Sequence, residues 1–580
     1  MRQRVILLFL VLVSLPFLNP FFKTGFFETD DGIWAVVRQA SMHNELRQQQ
    51  FPVRWSGSLN FGYGYPLFQF SYPGPYYLGE LFHLAGLSFE DSVKALFILG
   101  TILSVLAMYV FARNLWKSDL AGIIAALFYL SAPYRLVNLY VRGSIGETLA
   151  FLLFPLLCYM GLRLLLTGKR RFLLGGSFAL AFLVITHNVM ALLFVPFFVY
   201  YLTVETFLRN VKLVRLFKDY VDELKKNKDW YRKGSTISVL YKHIGPVVLM
   251  VIIGIALSAT FWVPALSELS YVKLGTTPLT GIEQEFKKQQ GLLLTPLDSH
   301  PSVSRTNNHI FEENIEFEYI FLAFATLGVV LLYKHKYEII TNRVLLYSIP
   351  VLFALILLTP ISIDLWKNIP GLKSIDFPWR VLGILTFITP VIIAATALVP
   401  KIKYVGLAMA IVSLFVVSPL ISSGKYQHNS DEYYATNQAT TTSANEYIST
   451  WMHNSPKENP GKPIVLDSTN NDKNFTYTVD KNTSTNKLLS YSASESLTAI
   501  FPIMYFPGWK LHIDNKNIEI DPEDSNGVIS AYLPEGKHTV RLSFNRTLPR
   551  FIGDLITLAS ILGIGILFII EFIRGKKFIL

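Results

Sequence analysis

The sequence predicts a mainly α, polytopic transmembrane helical bundle of about twelve spans that carries a β-rich domain near its C-terminal end. Three observations predict it. Hydrophobic residues are 51% of the 580 and charged residues only 16%, the mean hydropathy is +0.38, and apolar runs repeatedly approach the ~20 residues that a helix needs to cross a bilayer. Lys and Arg gather in the short links between those runs, as orientation signals do. From Ser422 the composition turns polar and then alternates apolar with polar, which is the period of strands.

The apolar runs lie near 5–22, 93–112, 119–134, 148–167, 172–187, 189–207, 245–264, 317–333, 344–360, 381–399, 404–421 and 551–573. The first, with Arg2 and Arg4 ahead of it, resembles a signal peptide, but Asn19-Pro20-Phe21-Phe22 offers no small-x-small cleavage site, so it reads as a retained helix. With the N-terminus in the cytoplasm, every inside link is basic: Arg113 and Lys117, Lys169 to Arg171, Lys334 to Arg343, Lys401 and Lys403, and the tail from Arg574. The long link 209–242 holds ten Lys/Arg against four Asp/Glu. The net charge of +11 is thus topological and gives no reason to expect nucleic acid. A single cysteine, Cys158, excludes an internal disulfide.

This orientation puts 23–92, 265–316, 361–380 and 422–550 outside, with the C-terminus inside. The domain reading follows: 1–421 a transmembrane module with outer loops 23–92 and 265–316, 422–550 an extracytoplasmic β-domain, and 551–580 a last helix with a basic tail. In the β-domain Trp509 to Asp514 alternates before a turn at Asn515-Lys516-Asn517, and Pro534-Glu535-Gly536-Lys537 turns before Val540, Leu542 and Phe544. A small β-sandwich is expected.

The chemistry gathers in the first outer loop. Glu28, Asp30 and Asp31 stand where the chain leaves the first helix; carboxylates there suit deprotonation of an acceptor hydroxyl or binding of a divalent cation, Mg²⁺ or Mn²⁺, which Glu28-x-Asp30 permits without demanding. Thr29, Asp30 or Asp31 equally suits the N-cap of a helix starting near Ile33. Arg54 in Phe51-Pro52-Val53-Arg54-Trp55 suits a phosphate, whereas the Gly/Tyr/Pro run at 62–66 reads better as an interfacial aromatic belt than as a sugar platform. Arg142 and Glu147 border the fourth span and can pair with each other. His187 lies between the fifth and sixth spans, where a structural histidine is commoner than a catalyst. Arg380 in Asp376-Phe377-Pro378-Trp379-Arg380 suits bidentate contact with a phosphate, or an ion pair with Asp376. A P-loop, a GxSxG motif and a metal-ligating His pair are all missing from the sequence.

In combination, Asp30-Asp31-Gly32, FPVRW, GYGYP, YVRGSIGETLAFLLFPL (Tyr140 to Leu156), Thr186-His187-Asn188 and DFPWR resemble the bacterial membrane family labelled "6-pyruvoyl-tetrahydropterin synthase-related". The segment from Tyr505 to Phe544 is similar to the terminal β-domain of that group and of YfhO-like membrane proteins. The wider resemblance is to GT-C glycosyltransferases, multi-span enzymes that use polyprenyl-phosphate-linked sugars. It implies Asp30 or Asp31 as base or electrostatic partner, and Arg380 with Arg54 or Arg142 near the donor phosphate. Related sequences often place a His shortly after the Asp; here Trp34 stands in that region.

The expectation is therefore a cell-membrane glycosyltransferase that moves a sugar from a polyprenyl-phosphate donor to an envelope glycan, lipid or protein on the outer side. Asp30 and Asp31 are its candidate catalytic residues, and Glu28, Arg54, Arg142, His187 and Arg380 its candidate binding residues. A transporter or flippase for lipid-linked saccharides and a non-catalytic envelope-assembly protein are the competing classes. Polar motifs gathered on one face, away from a midplane site, favour surface chemistry over transport.

Overall fold

The computed structural model describes residues 2–209, 234–276, 316–334, 338–373, 375, 377–418, 421, 424–442, 445–466, 475–523 and 525–573. The basic link 209–242, most of the outer loop 265–316, Asp376 and the basic tail lie largely or wholly outside the described residues. Among those described, six helices are long and apolar enough to cross a membrane. Three further expected spans are bent pairs: Gln3–Ser14 with Pro16–Phe22 at 56°, Asp119–Leu130 with Pro133–Arg142 at 45°, and Ile244–Leu257 with Ala259–Ser267 at 69°. Proline explains the first two breaks, because Pro16 and Pro133 each open the second helix of their pair and cannot continue the hydrogen-bond ladder of the first. The remaining three expected spans coincide with the helices Arg170–Thr186, Glu316–Lys334 and Lys403–Val416, which are not among those nine. The chain is a multi-pass membrane protein with a mainly helical fold.

The bundle packs through aromatic rings and small residues. Phe154 stacks on Phe194 at 3.9 Å, and Phe387 meets both rings edge-on. Gly176 and Gly254 let Met250 and Leu180 close against neighbouring backbones, the contact that substitutes for a hydrophobic drive within lipid.

Strands β1 (Phe26–Phe27) and β2 (Tyr426–Gln427) pair antiparallel, which ties the first loop to the entry of the C-terminal domain. That domain contains β3 (Val465–Leu466), β4 (Thr476–Asn482), β5 (Asn486–Ala493), β6 (Leu497–Met504), β7 (Trp509–Ile513), β8 (Lys516–Ile518), β9 (Val528–Leu533) and β10 (Gly536–Phe544). They form two antiparallel sheets of order β4-β5-β10-β7-β8 and β3-β6-β9. Leu511, Leu542 and Leu489 from one sheet and Leu497, Ala499 and Phe501 from the other enter a single core. The β7–β8 turn falls at Asp514 and Asn515, both at positive φ, so Lys516 and Asn517 already belong to β8. The segment at 534–535 closes no hairpin: β9 pairs with β6, β10 with β5 and β7, and the chain changes sheets there.

The aromatic run of the first loop is not a lipid-facing belt. Trp55 and Tyr65 are buried, Trp55 packs against Trp509 at 5.5 Å and Phe544 at 5.0 Å, and the backbone N–H of Met504 donates to the Tyr63 carbonyl at 2.8 Å. Packing against the β-domain removes these apolar rings from water, which is the favourable fate of such area. Below it, the buried Glu45 carboxylate accepts from Gly57 N–H at 2.8 Å and from Ser484 Oγ at 2.9 Å. Trp55→Ala is expected to cost about 3–5 kcal/mol at this junction. It should appear as early proteolysis of the C-terminal domain in limited digestion; an unchanged digestion profile would remove Trp55 from that role.

Candidate active site

The broken span Pro133–Arg142 ends in a wide turn, Asn138–Arg142, that hydrogen-bonds the carboxylate loop. The N–H of Asp30 donates to the Val141 carbonyl at 3.0 Å, and that of Asp31 to the Arg142 carbonyl at 2.7 Å. Gly143 makes the approach possible. It sits at φ +63°, and a Cβ there would stand 2.3 Å from Thr29 Oγ1 and 2.8 Å from the Gly32 nitrogen. Gly146 permits a similar approach further along, where a Cβ would meet the Tyr72 ring at 2.7 Å and the Thr186 carbonyl at 2.8 Å. The glycine spacing in YVRGSIGE is therefore a docking requirement. Gly143→Ala is expected to push the loop from Arg142 and lower the Tm of the purified protein, because a Cβ at this φ clashes with Thr29 and Gly32; an unchanged Tm would show that the loop needs no such contact.

Thr29 caps the helix Gly32–Arg47, its Oγ1 accepting the Gly32 N–H at 3.0 Å, and Asp31 makes no side-chain cap bond. Both aspartates are thereby released from the capping role. Asp31 Oδ2 lies 3.7 Å from Arg142 Nη2 with its side chain 43% exposed. Asp30 Oδ2 is buried without a hydrogen-bond partner among the described residues. Burial, and secondarily the charge of Asp31, push the Asp30 carboxyl up to about 7 against the pull of Arg142.

Behind the loop, Glu147 is wholly buried and collects the other polar candidates. Arg142 Nη1 donates to its Oε1 at 2.5 Å, and the Tyr134 hydroxyl to its Oε2 at 2.6 Å. His187 Nε2 and Arg380 Nε face the same Oε1 at 3.7 and 3.9 Å. The Met190 N–H donates to His187 Nδ1 at 3.2 Å, which places the proton of the neutral ring on Nε2, toward Glu147. The Arg142 guanidinium covers the Trp379 ring at 4.5 Å, and the His187 ring stacks on Tyr72 at 4.9 Å. Arg142 thus bridges a buried carboxylate and an exposed one.

Two candidates do not join this cluster. Glu28 is exposed and accepts from Gln427 Nε2 at 3.1 Å, beside the β1–β2 pair. Arg54 is buried against the last span, with Nη2 at 2.6 Å from Asp554 Oδ1 and 3.2 Å from the Thr260 carbonyl; a carboxylate inside an apolar helix needs such a cation more than a distant phosphate does. Asp376 lies outside the described residues. Tyr134, Tyr72 and Trp379 line the cluster without having been singled out; only the presence of Trp379 within the DFPWR motif pointed there. An Mg²⁺ ion takes about six oxygens. Asp30 and an Asp31 that faces Arg142 fit that demand poorly, and no group of three His, Cys, Asp or Glu gathers among the described residues.

The fold and site define a multi-pass membrane protein with a carboxylate and guanidinium cluster at the end of the bundle that the β-domain covers. No protein-family profile matches the chain. An uncharacterized protein of Lactococcus lactis subsp. cremoris (strain MG1363) is 26% identical over 204 residues, which are 34% of this chain and 32% of that relative. The chain therefore matches about a third of the length of that curated relative. Among solved structures it is similar to arabinofuranosyltransferase AftD from Mycobacteria (TM-score 0.43, 15% identity, 73% of this chain and 27% of that one). It is also similar to the Archaeoglobus fulgidus oligosaccharyltransferase AglB in complex with an inhibitory peptide and a dolichol-phosphate (0.41, 12%, 77% and 61%). ArnT from Cupriavidus metallidurans follows (0.25, 16%, 68% and 77%).

Proposed function

We propose that the chain is an integral-membrane glycosyltransferase of GT-C type that moves a sugar from a polyprenyl-phosphate donor to a cell-envelope acceptor outside the cytoplasmic membrane. One observation carries the reading: Asp30, whose carboxyl burial pushes up to about 7, is hydrogen-bonded through its backbone onto the turn that ends at Arg142, and Arg142 and Arg380 face the same buried Glu147. A base works best when its pKa lies near the working pH. A departing phosphate is stabilised by fixed cations in a water-poor site.

In this mechanism Asp30 takes the proton of the acceptor hydroxyl. The acceptor oxygen forms a bond to the anomeric carbon as the bond from that carbon to the phosphate oxygen breaks. The lipid phosphate leaves with the electron pair, facing Arg142 and Arg380. Asp31 holds Arg142 from the solvent side and Glu147 holds it from within. The test compares lipid-linked sugars and envelope glycans by mass spectrometry in cells with and without the protein, then complements with Asp30→Asn and Asp31→Asn. The reading expects a glycan loss that neither variant restores at wild-type protein levels. Full restoration by both variants overturns it, and loss of lipid-linked sugar translocation in vesicles points to a transporter instead.

A further inference from the structure

Arg38 lies on the helix Gly32–Arg47, seven residues beyond Asp31. That is about two helical turns, or ~10 Å along the axis, and returns to the same face. Arg38 pairs with no carboxylate among the described residues. Its Nε donates to Thr441 Oγ1 at 3.1 Å, its Nη1 to Ser71 Oγ at 3.4 Å and its Nη2 to the Thr441 carbonyl. The phenols of Tyr65, Tyr72, Tyr76 and Tyr447 surround its charge.

Two of these tyrosines differ in a telling way. The Tyr65 hydroxyl is committed, 2.8 Å from Thr441 Oγ1 and accepting the Thr441 N–H at 3.3 Å. The Tyr76 hydroxyl, wholly buried, turns to the Arg38 guanidinium as its one polar neighbour and reaches no partner at full hydrogen-bond geometry among the described residues. Tyr72 and Tyr76 lie parallel within 4°, with centroids 6.5 Å apart, and Tyr72 continues onto His187 of the Glu147 cluster. A row of rings therefore runs from His187 to a guanidinium that, among the described residues, is held by neutral groups. Such a cation is costly to desolvate, and an arriving anion offsets that cost.

We propose that Arg38, Tyr72, Tyr76 and Tyr447 form an acceptor subsite for an anionic saccharide, a sugar ring bearing one carboxylate or phosphate. The ring lies along Tyr72 and Tyr447, which are half-buried, its anion meets the planar fork of Arg38 beside Tyr76, and a free hydroxyl points back toward the aspartates. The proposal rests on the transferase reading for its acceptor role, but the site is testable by binding alone.

The experiment follows thermal unfolding of the purified full chain in nanodiscs with millimolar glucuronate, glucose 6-phosphate or glucose. The expected result is an upward Tm shift with one or both anionic sugars and none with glucose; glucuronate alone assigns a carboxylate, glucose 6-phosphate alone a phosphate. Arg38→Lys should keep part of the shift and Arg38→Gln should lose it. Tyr76→Phe removes a hydroxyl whose polar neighbour among the described residues is Arg38 alone, so it should change the unliganded Tm little and weaken binding about five-fold, the worth of one hydrogen bond. Equal shifts with glucose, or an unchanged anionic shift in Tyr76→Phe together with Arg38→Gln, overturn the proposal. An Arg38→Gln protein that is less stable yet still responds to the anion makes Arg38 a structural pin for the segment at 441 and also overturns it. Should Arg38→Gln not fold, Tyr76→Phe alone decides. Because no donor is present, failure of the subsite and failure of the transferase reading register separately.

Discussion

Asp30→Asn is expected to lower glycosyl transfer by about 10²–10⁴-fold while the protein stays folded and membrane-inserted, the range that one general base supplies. Asparagine keeps the shape and the backbone hydrogen bond to Val141 and removes only the capacity to accept a proton. The pH dependence gives a sharper signature. Asp30 is raised from 3.8 to about 7, chiefly by burial. In the proposed transfer the ionised form is the competent one, so kcat/KM in the wild type should rise with pH through about 7 and level off above it. Stability runs the opposite way. The folded state holds this proton more tightly than the unfolded chain, so the contribution is complete below about 4 and is lost as pH climbs through about 7. A single group thus raises activity and erodes stability over the same window. Asp30→Asn should flatten both trends, which turnover and unfolding profiles from pH 5 to 9 would record. If the limb near 7 persists in Asp30→Asn and disappears in Asp31→Asn, the base is Asp31.

Much of this arrangement is written in the sequence, and the reasons for what is not are physical. Apolar length and basic links reveal spans because lipid demands ~20 residues and positive links. A proline such as Pro133 turns one expected span into two inclined halves, and no hydropathy average shows an angle. The carboxylates stood out as charges beside apolar runs, yet their roles depended on which atom caps the helix. Thr29 takes that position, a choice that residue type alone leaves open among Thr29, Asp30 and Asp31. Arg54 and Arg142 look alike in sequence, each an arginine in a Gly- and aromatic-rich stretch. Their partners, Asp554 and Glu147, lie 500 and 5 residues away, so only folding separates them. Arg38 drew no attention because its neighbours on the helix are ordinary. Its meaning comes from tyrosines and a threonine brought in from three other segments.

Glu147→Gln is expected to be the most damaging single change to the cluster, at about 3–5 kcal/mol of stability. The substitution is nearly isosteric, so packing is conserved and the charge alone is tested. Among the described residues Glu147 is the carboxylate that Arg142, His187 and Arg380 all face. Removing its charge leaves the buried Arg142 to Asp31 at 3.7 Å and to Asn138 Oδ1 at 2.8 Å, neither of which matches a buried partner at 2.5 Å. The guanidinium should then turn toward solvent and Asp31, drawing the loop out of register with the turn that holds Asp30. Activity and stability fall together in that case, whereas Asp30→Asn costs activity alone. The double variant Arg142→Gln/Glu147→Gln removes both charges and should recover much of the stability of Glu147→Gln without recovering transfer, since the donor-facing cation is gone as well. A double-mutant cycle from thermal unfolding of the purified proteins measures the coupling directly. A coupling near zero would mean that Glu147 holds Arg380 and His187 and leaves Arg142 to Asp31, and the loop would then owe its position to Gly143 and the two backbone hydrogen bonds alone.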